Sequence, residues 1–446
     1  MAQSTDLMVE IEQELMENIA KRLEMLGDLE SPTYTIEWQQ QKLREVNQLK
    51  RMNIEDIKRL TPKALNAVTS DITEAGVNAI EAIEPDFLTA ISAGEQLKTV
   101  LPAAKDPTLK AIIDSFDNIG QTQAKLIIEN INVSSVQVYI DSINKTVLQV
   151  NLGISTPDQA LRQTMREWSA KGLPAFVDKA GRTWTAESYY NNVLRTTIRN
   201  VTTDMQFERM RQYGVDLMEI SSHLGARPGC EPYQGKIYSQ SGEHEKYPPL
   251  SSTTFGEASG LFGNNCKHQG YPFFEGINTT TFKPQDDKRN DKNYDNSQTQ
   301  RKLERDIKGA KRQKAVYKAN GDPIGVKQSN ELLQGRTKRL NTFLDDTGRT
   351  RRSNRERIYS VDDNAKVIKK QNTKTKQQLK KVNKENDSKP FKKWIVSESD
   401  EPVTSFNTKK EAVDFGRKQR QQGRQVFVTE KGFFNDFRTK GKEKLK

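Results

Sequence analysis

Of 446 residues only two are cysteine and three are histidine, 34% are hydrophobic, and no apolar run reaches the length needed to cross a bilayer. Each scarcity excludes something. Two cysteines in so long a chain cannot build a disulfide framework and fit synthesis in a reducing cytoplasm. The low apolar fraction, set against 29% charged residues, favours one modest core over three large ones, although the length would allow two or three domains. The N-terminus has no basic segment followed by an apolar core, so no signal peptide is expected. A glycine-rich phosphate loop, a dinucleotide fingerprint and a GxSxG elbow are all missing, and no enzyme template fits the chain.

Positive charge is what the chain has in surplus. Lys and Arg number 71 against 59 Asp and Glu, a formal net charge of +12, which favours polyanionic partners, nucleic acid first among them. A dense basic run is GRTRRSNRER at residues 348–357. Arg349, Arg351, Arg352, Arg355 and Arg357 are therefore the candidate phosphate contacts, the competing reading being a solvated charged segment.

The scarce residues are not scattered. All three histidines and both cysteines fall within residues 221–276, a stretch whose Gly, Pro, Ser and aromatic content predicts ordered loops and short strands. An apolar, strand-like run at 215–220 leads into it. Cys266 and His268 form a CxH pair, and in an extended chain residues two apart share a face. With His223 and Cys230 they make a Cys2His2 set suited to tetrahedral zinc, at a spacing unlike the standard fingers. His244, between Glu243 and Glu245, is the odd one out. Small buried cysteines, hydrogen-bonded structural histidines, a disulfide, or a Cys/His catalytic pair stay open as other readings.

Around this stretch the pattern is helical. Met8, Ile11, Leu15, Ile19, Leu23 and Leu26 make one stripe of a helix over 6–26, and a second helix is predicted over 36–52; the stripes pack either inside a bundle or on another subunit. Residues 53–132 read as helices bounded by Pro62, Pro85, Pro102 and Pro107. Thr156 or Ser155 with Pro157 opens a helix that ends at Gly172, an extended piece turns at Gly181, and Thr185 caps a helix running to Tyr213, broken by Gly214. Arg195, Arg199, Arg209 and Arg211 on that helix read as a solvated face, with contact to phosphate the second reading. Beyond residue 278 large apolar residues are few, so exposed or partner-docked helices are expected over 297–319 and 327–345, then a basic linker over 349–386. The last segment predicts strands at 394–396 and 425–429 around a helix capped by Thr408 and Glu411. The fold class is thus mainly α, with a small α+β Cys/His-bearing loop domain and a small C-terminal ββαββ-like module. The boundaries fall at 1–150, 151–280, 281–388 and 389–446.

Three runs, HLGARPGCEPYQGKIYS at 223–239, YPPL at 247–250 and FGEASGLFGNNCKHQGYPFFEGI at 255–277, together resemble the signature of the phage minor capsid protein 2 family. IEQELMENIAKRL, ISTPDQALRQTMREWSAKGLP and QRKLERDIKGAKRQKAVYKANGD resemble its other blocks, extending the likeness over roughly residues 5–360. The family pattern usually has His where this chain has Cys230, a change that keeps a metal-ligating side chain. The resemblance implies a minor head protein of a tailed phage or prophage, not an enzyme and not membrane-bound. Its place would be in the virion, inside the head or at the portal vertex. Its partners would be the portal protein, the scaffold or major capsid protein, and packaged double-stranded DNA. Its role would be procapsid assembly and DNA packaging or ejection. The rival class is a zinc-dependent nucleic-acid-binding protein or nuclease outside the capsid, with His223 or His268 as general base.

Overall fold

In the computed structural model the described residues are 3–24, 32–278 and 282–359, together with four short strands near the C-terminus. The chain divides into two compact units, Met1–Val361 and Asp362–Lys446.

The first unit is mainly helical. Its frame is α1 (Gln3–Arg22), α2 (Pro32–Arg44), α3 (Val46–Glu81), α4 (Glu84–Ser92), α5 (Pro107–Asn151), α6 (Pro157–Ser169) and α7 (Ala186–Tyr213). The apolar stripe of α1 does not wait for another subunit: Met8, Ile11, Leu15 and Ile19 are fully buried, packed with Leu49, Leu60, Val68 and Ile72 of α3 and with residues of α5. The predicted second helix is two, because the chain bends at Glu45 rather than running through to 52. Pro62 does not end a helix but sits inside α3. The cost of an internal proline is about 3 kcal/mol, and the apolar face formed by Leu60, Ala64 and Val68 opposes it. Pro85 and Pro107 do stand at helix starts, and Asp106 caps α5 by accepting from the amides of Thr108 and Leu109. For α6, Thr156 and Gln159 form a reciprocal capping box, and Thr185 caps α7.

A hairpin of β1 (Pro174–Val177) and β2 (Thr183–Thr185) links α6 to α7. The chain leaves α7 through Gly214, whose φ of +79° suits glycine, and enters β3 (Leu217–Ile220). β3 is the middle strand of an antiparallel sheet, with β4 (Ile237–Ser239) on one side and β5 (Gly270–Pro272) on the other. A second apolar cluster lies under this sheet and includes Met218, Ile220, Phe262 and both cysteines.

Residues 282–359 differ from the sequence expectation. They form α8 (Asp287–Asn320) and α9 (Pro323–Thr347), and α8 docks on the chain's own body. Arg312 donates to Glu12 at 2.6 Å and to Glu187 at 2.9 Å, Lys308 reaches Glu187 at 2.7 Å, and Asn320 Nδ2 donates to Ala20 O at 2.9 Å. These polar partners hold the helix together with a few buried apolar residues, Val316 and Tyr317 in the main core and Ile307 against α9, which is why scarcity of large apolar residues misled. Residues 349–359 are likewise folded rather than a linker, with a 3-10 turn at Ser353–Glu356.

In the second unit β6 (Trp394–Glu398), β7 (Glu401–Phe406), β8 (Val426–Glu430) and β9 (Glu443–Lys444) form an antiparallel sheet in the order β7-β6-β8-β9. The helix expected after Thr408 and the linker over 360–386 lie outside the described residues.

Candidate functional site

Antiparallel pairing brings the scarce residues together. Because β3 is flanked by β4 and β5, the loop leaving β3 and the loop entering β5 lie side by side. Ser221 and Gln269 join them: the Ser221 amide donates to Gln269 O at 2.9 Å, and the Gln269 amide donates to Ser221 Oγ at 2.8 Å. One loop carries His223 and Cys230, the other Cys266 and His268. The turn into Cys266 is tight, with Phe262 and Asn265 both in left-handed backbone at φ of 56° and 58°, a conformation Asn tolerates and Phe adopts only when its surroundings hold it.

The sulfurs of Cys230 and Cys266 are 3.9 Å apart, unbridged, and Cys266 Sγ is 3.3 Å from His268 Nδ1. Donor atoms of Cys230, Cys266 and His268 all lie within 4.8 Å of one another, and all three residues are buried. His223 is not within that triplet; its ring stacks on His268 with centroids 4.5 Å apart. His244 stands apart, its Nδ1 accepting from the amides of Lys246 and Tyr247 in a turn. A hydrogen bond from the Cys230 thiol holds Cys266 well below the usual thiol range against the opposing effect of burial, with His268 adding to the pull; the same bond pushes Cys230 up. Burial, then the charge of His268, lowers His223. The Nε2 atoms of His223 and His268 are buried without a hydrogen-bond partner.

The triplet opens into a cavity of about 750 Å³. Arg195 and Arg199 reach it from α7, Arg301 from α8, and Arg227 and Lys267 from the two loops. The segment after α9 adds Arg349, Arg352 and Arg355. Three of the five arginines singled out in the basic run thus face this cavity. Arg351 instead pairs with Glu356, and Arg357 is exposed. The expectation of a solvated helix face fails at Arg199, which is buried and donates to Cys266 O at 3.2 Å, whereas Arg195 and Arg211 are exposed. Arg209 is buried too, donating to Glu84 at 2.6 and 3.0 Å.

Asn290 was invisible in sequence. Fully buried, it accepts from the amides of Gly225 and Ala226 and donates to Ala226 O, pinning the HLGARP loop to α8. A lone Asn among the polar residues of 286–299 carries no signal of that role.

The fold is thus a helical body bearing a small Cys/His-containing sheet. The chain belongs to the phage minor capsid protein 2 family, whose profile matches residues 1–345. It is 27% identical over 341 residues to a structural protein of Lactococcus phage LL-H, covering 73% of this chain and 89% of that one. It is also 27% identical over 117 residues to a structural protein of Lactococcus phage mv4, covering 26% of this chain and 95% of that one. No solved structure matches the chain. Among the described residues no helix is long and apolar enough to cross a membrane.

Proposed function

We propose that this chain is a structural minor head protein of a tailed phage or prophage. In this reading it resides in the virion, inside the head or at the portal vertex. It associates with the portal protein and with scaffold or major capsid protein, contacts packaged double-stranded DNA, and serves head assembly and DNA packaging or ejection. The observation that carries the reading is the family match over residues 1–345; the net charge of +12 supports the DNA partner.

Within that role the Cys/His cluster is a structural zinc site held by Cys230, Cys266 and His268, with His223 the next nearest imidazole. Zn–S bonds of about 2.3 Å and Zn–N bonds of about 2.0 Å place tetrahedral ligands about 3.8 Å apart for two sulfurs and about 3.5 Å for sulfur and nitrogen. The observed 3.9 and 3.3 Å fit that set. The ion would tie the two loops together where the sheet is only three strands wide.

One preparation tests both parts. The chain, co-expressed with the portal protein encoded beside it, should co-purify as a stable complex, and elemental analysis without chelator should find stoichiometric zinc that falls in Cys266→Ser. No complex, together with metal-dependent DNA cleavage that disappears in His268→Ala, would replace the head-protein reading by the nuclease one.

A further inference from the structure

The cavity above the Cys/His triplet concentrates charge of one sign. Eight cationic side chains line it and no aspartate or glutamate does. Among the described residues, Arg352 alone of the eight forms an ion pair, with Glu304 at 2.8 and 3.1 Å. Arg349 donates only to neutral oxygens, Gln300 Oε1 at 2.8 Å and Asn293 Oδ1 at 3.3 Å. Three nitrogens in the lining are buried with no partner: Nε of Arg301 and Nε2 of His223 and His268, the last on a side chain 1% exposed. Like charges do not gather this way in a cavity merely to be solvated. Burial and then the neighbouring arginines Arg352 and Arg195 push Arg355 down to about 10, the mark of a cluster short of counter-charge.

The geometry points to a phosphate-binding site: the cavity takes the phosphate groups of nucleic acid, gripped by the arginine forks, with the buried Arg301 and histidine nitrogens as inner donors. Phosphate is favoured over a single carboxylate because it offers more charge and more acceptor oxygens to planar guanidinium groups. About 750 Å³ is the size of site that holds a nucleotide rather than one small ion. Residues 349–359, just past the end of the family match, fold back against α8 through Arg349 to Gln300, Arg352 to Glu304 and Gln300 to Thr350 O, which brings their arginines to the cavity. This inference deepens the DNA contact in the reading above and rests on it only for the source of the phosphate.

The test titrates the full chain with pyrophosphate and with labelled single-stranded and duplex oligonucleotides, at low and high salt. Both kinds of ligand should bind, and pyrophosphate should displace the oligonucleotide. Arg301→Ala/Arg355→Ala should raise Kd about tenfold or more and reduce the salt slope by about two. Lys267 is exposed, so Lys267→Ala keeps the test alive if the double variant fails to fold, and should weaken binding about threefold. Pyrophosphate binding without oligonucleotide binding would uphold the site and assign it to free phosphoanions. Folded variants that bind like the wild type, or an oligonucleotide that pyrophosphate does not displace, would overturn it. Because the assay needs no portal protein, its failure is distinct from failure of the head assignment.

Discussion

Gly260 sits beside the turn that carries Cys230, packed against the chain at Thr254. A Cβ built there would lie 2.0 Å from Thr254 O, backbone that cannot swing aside as a side chain end can. The same region is tied by Thr254 Oγ1, which donates to Gly229 O at 2.6 Å and accepts from the Leu261 amide at 3.0 Å, while Cys230 Sγ faces Gly260 O at 3.4 Å. Gly260→Ala is therefore expected to destabilise by about 1–3 kcal/mol, the usual range for overpacking. Gly335, exposed in α9 with open space around it, is the control: Gly335→Ala should stabilise by up to about 1 kcal/mol through helix propensity. Urea midpoints of the two variants moving in the same direction would refute this account. At this scale the Cys/His set was legible because five rare side chains crowd one stretch. The basic run pointed to Arg349, Arg352 and Arg355, but the convergence of these with Arg195, Arg199, Arg227 and Arg301 on one cavity was not legible, because they come from the segment after α9, from α7, from the loop after β3 and from α8, and a charged residue on a helix carries no periodic signal of what it faces.

At the scale of elements, α1 decides how the N-terminus is understood. An amphipathic stripe is compatible with docking on another subunit, but α1 is buried on its polar side as well: Glu12, Gln13, Glu14 and Asn18 are all below 9% exposed. Polar side chains on this helix find partners inside the protein, as with Asn18 Nδ2 donating to Asp56 at 2.8 Å and Ser4 Oγ donating to Asp71 at 2.5 Å. Deleting residues 3–22 should consequently unfold the first unit rather than remove one contact selectively. Circular dichroism and gel filtration would report lost helicity and an expanded or aggregated species; a compact, helical truncation that merely fails to bind would restore the docking view. Elements with chemical boundary signals were readable in sequence, as in α6 with its capping box and α7 between Thr185 and Gly214. α8 begins at Asp287, ten residues before the expected start, because its first turns are polar and only the Asp286 cap, accepting from the Arg289 amide at 2.8 Å, marks them. β7 went unread for want of an alternating apolar pattern.

Across the whole molecule, charge pairs join parts of the chain that are distant in sequence. Arg312 binds Glu12 and Glu187 at once, and Lys308 binds Glu187, so that α1, α7 and α8 meet in one buried network. The two carboxylates respond to burial differently. Burial pushes Glu12 up despite Arg312, whereas at Glu187 the same effect is outweighed by the charges of Lys308 and Arg312 and their hydrogen bonds, which hold it below the usual range. A carboxyl lowered in the fold contributes stability above its unfolded value, about 4.3, and that contribution disappears as pH falls through the folded value. Glu12, raised, has the opposite sign and does not oppose acidification. Glu187→Gln should therefore cost about 2–4 kcal/mol at pH 7, somewhat under the range for breaking a fully buried pair because the side chain keeps some exposure. The difference from wild type should narrow below about pH 4. Urea unfolding of both proteins at pH 7, 5 and 3.5 measures it; a gap that stays constant or widens with acid would show that the network does not hold Glu187 ionised.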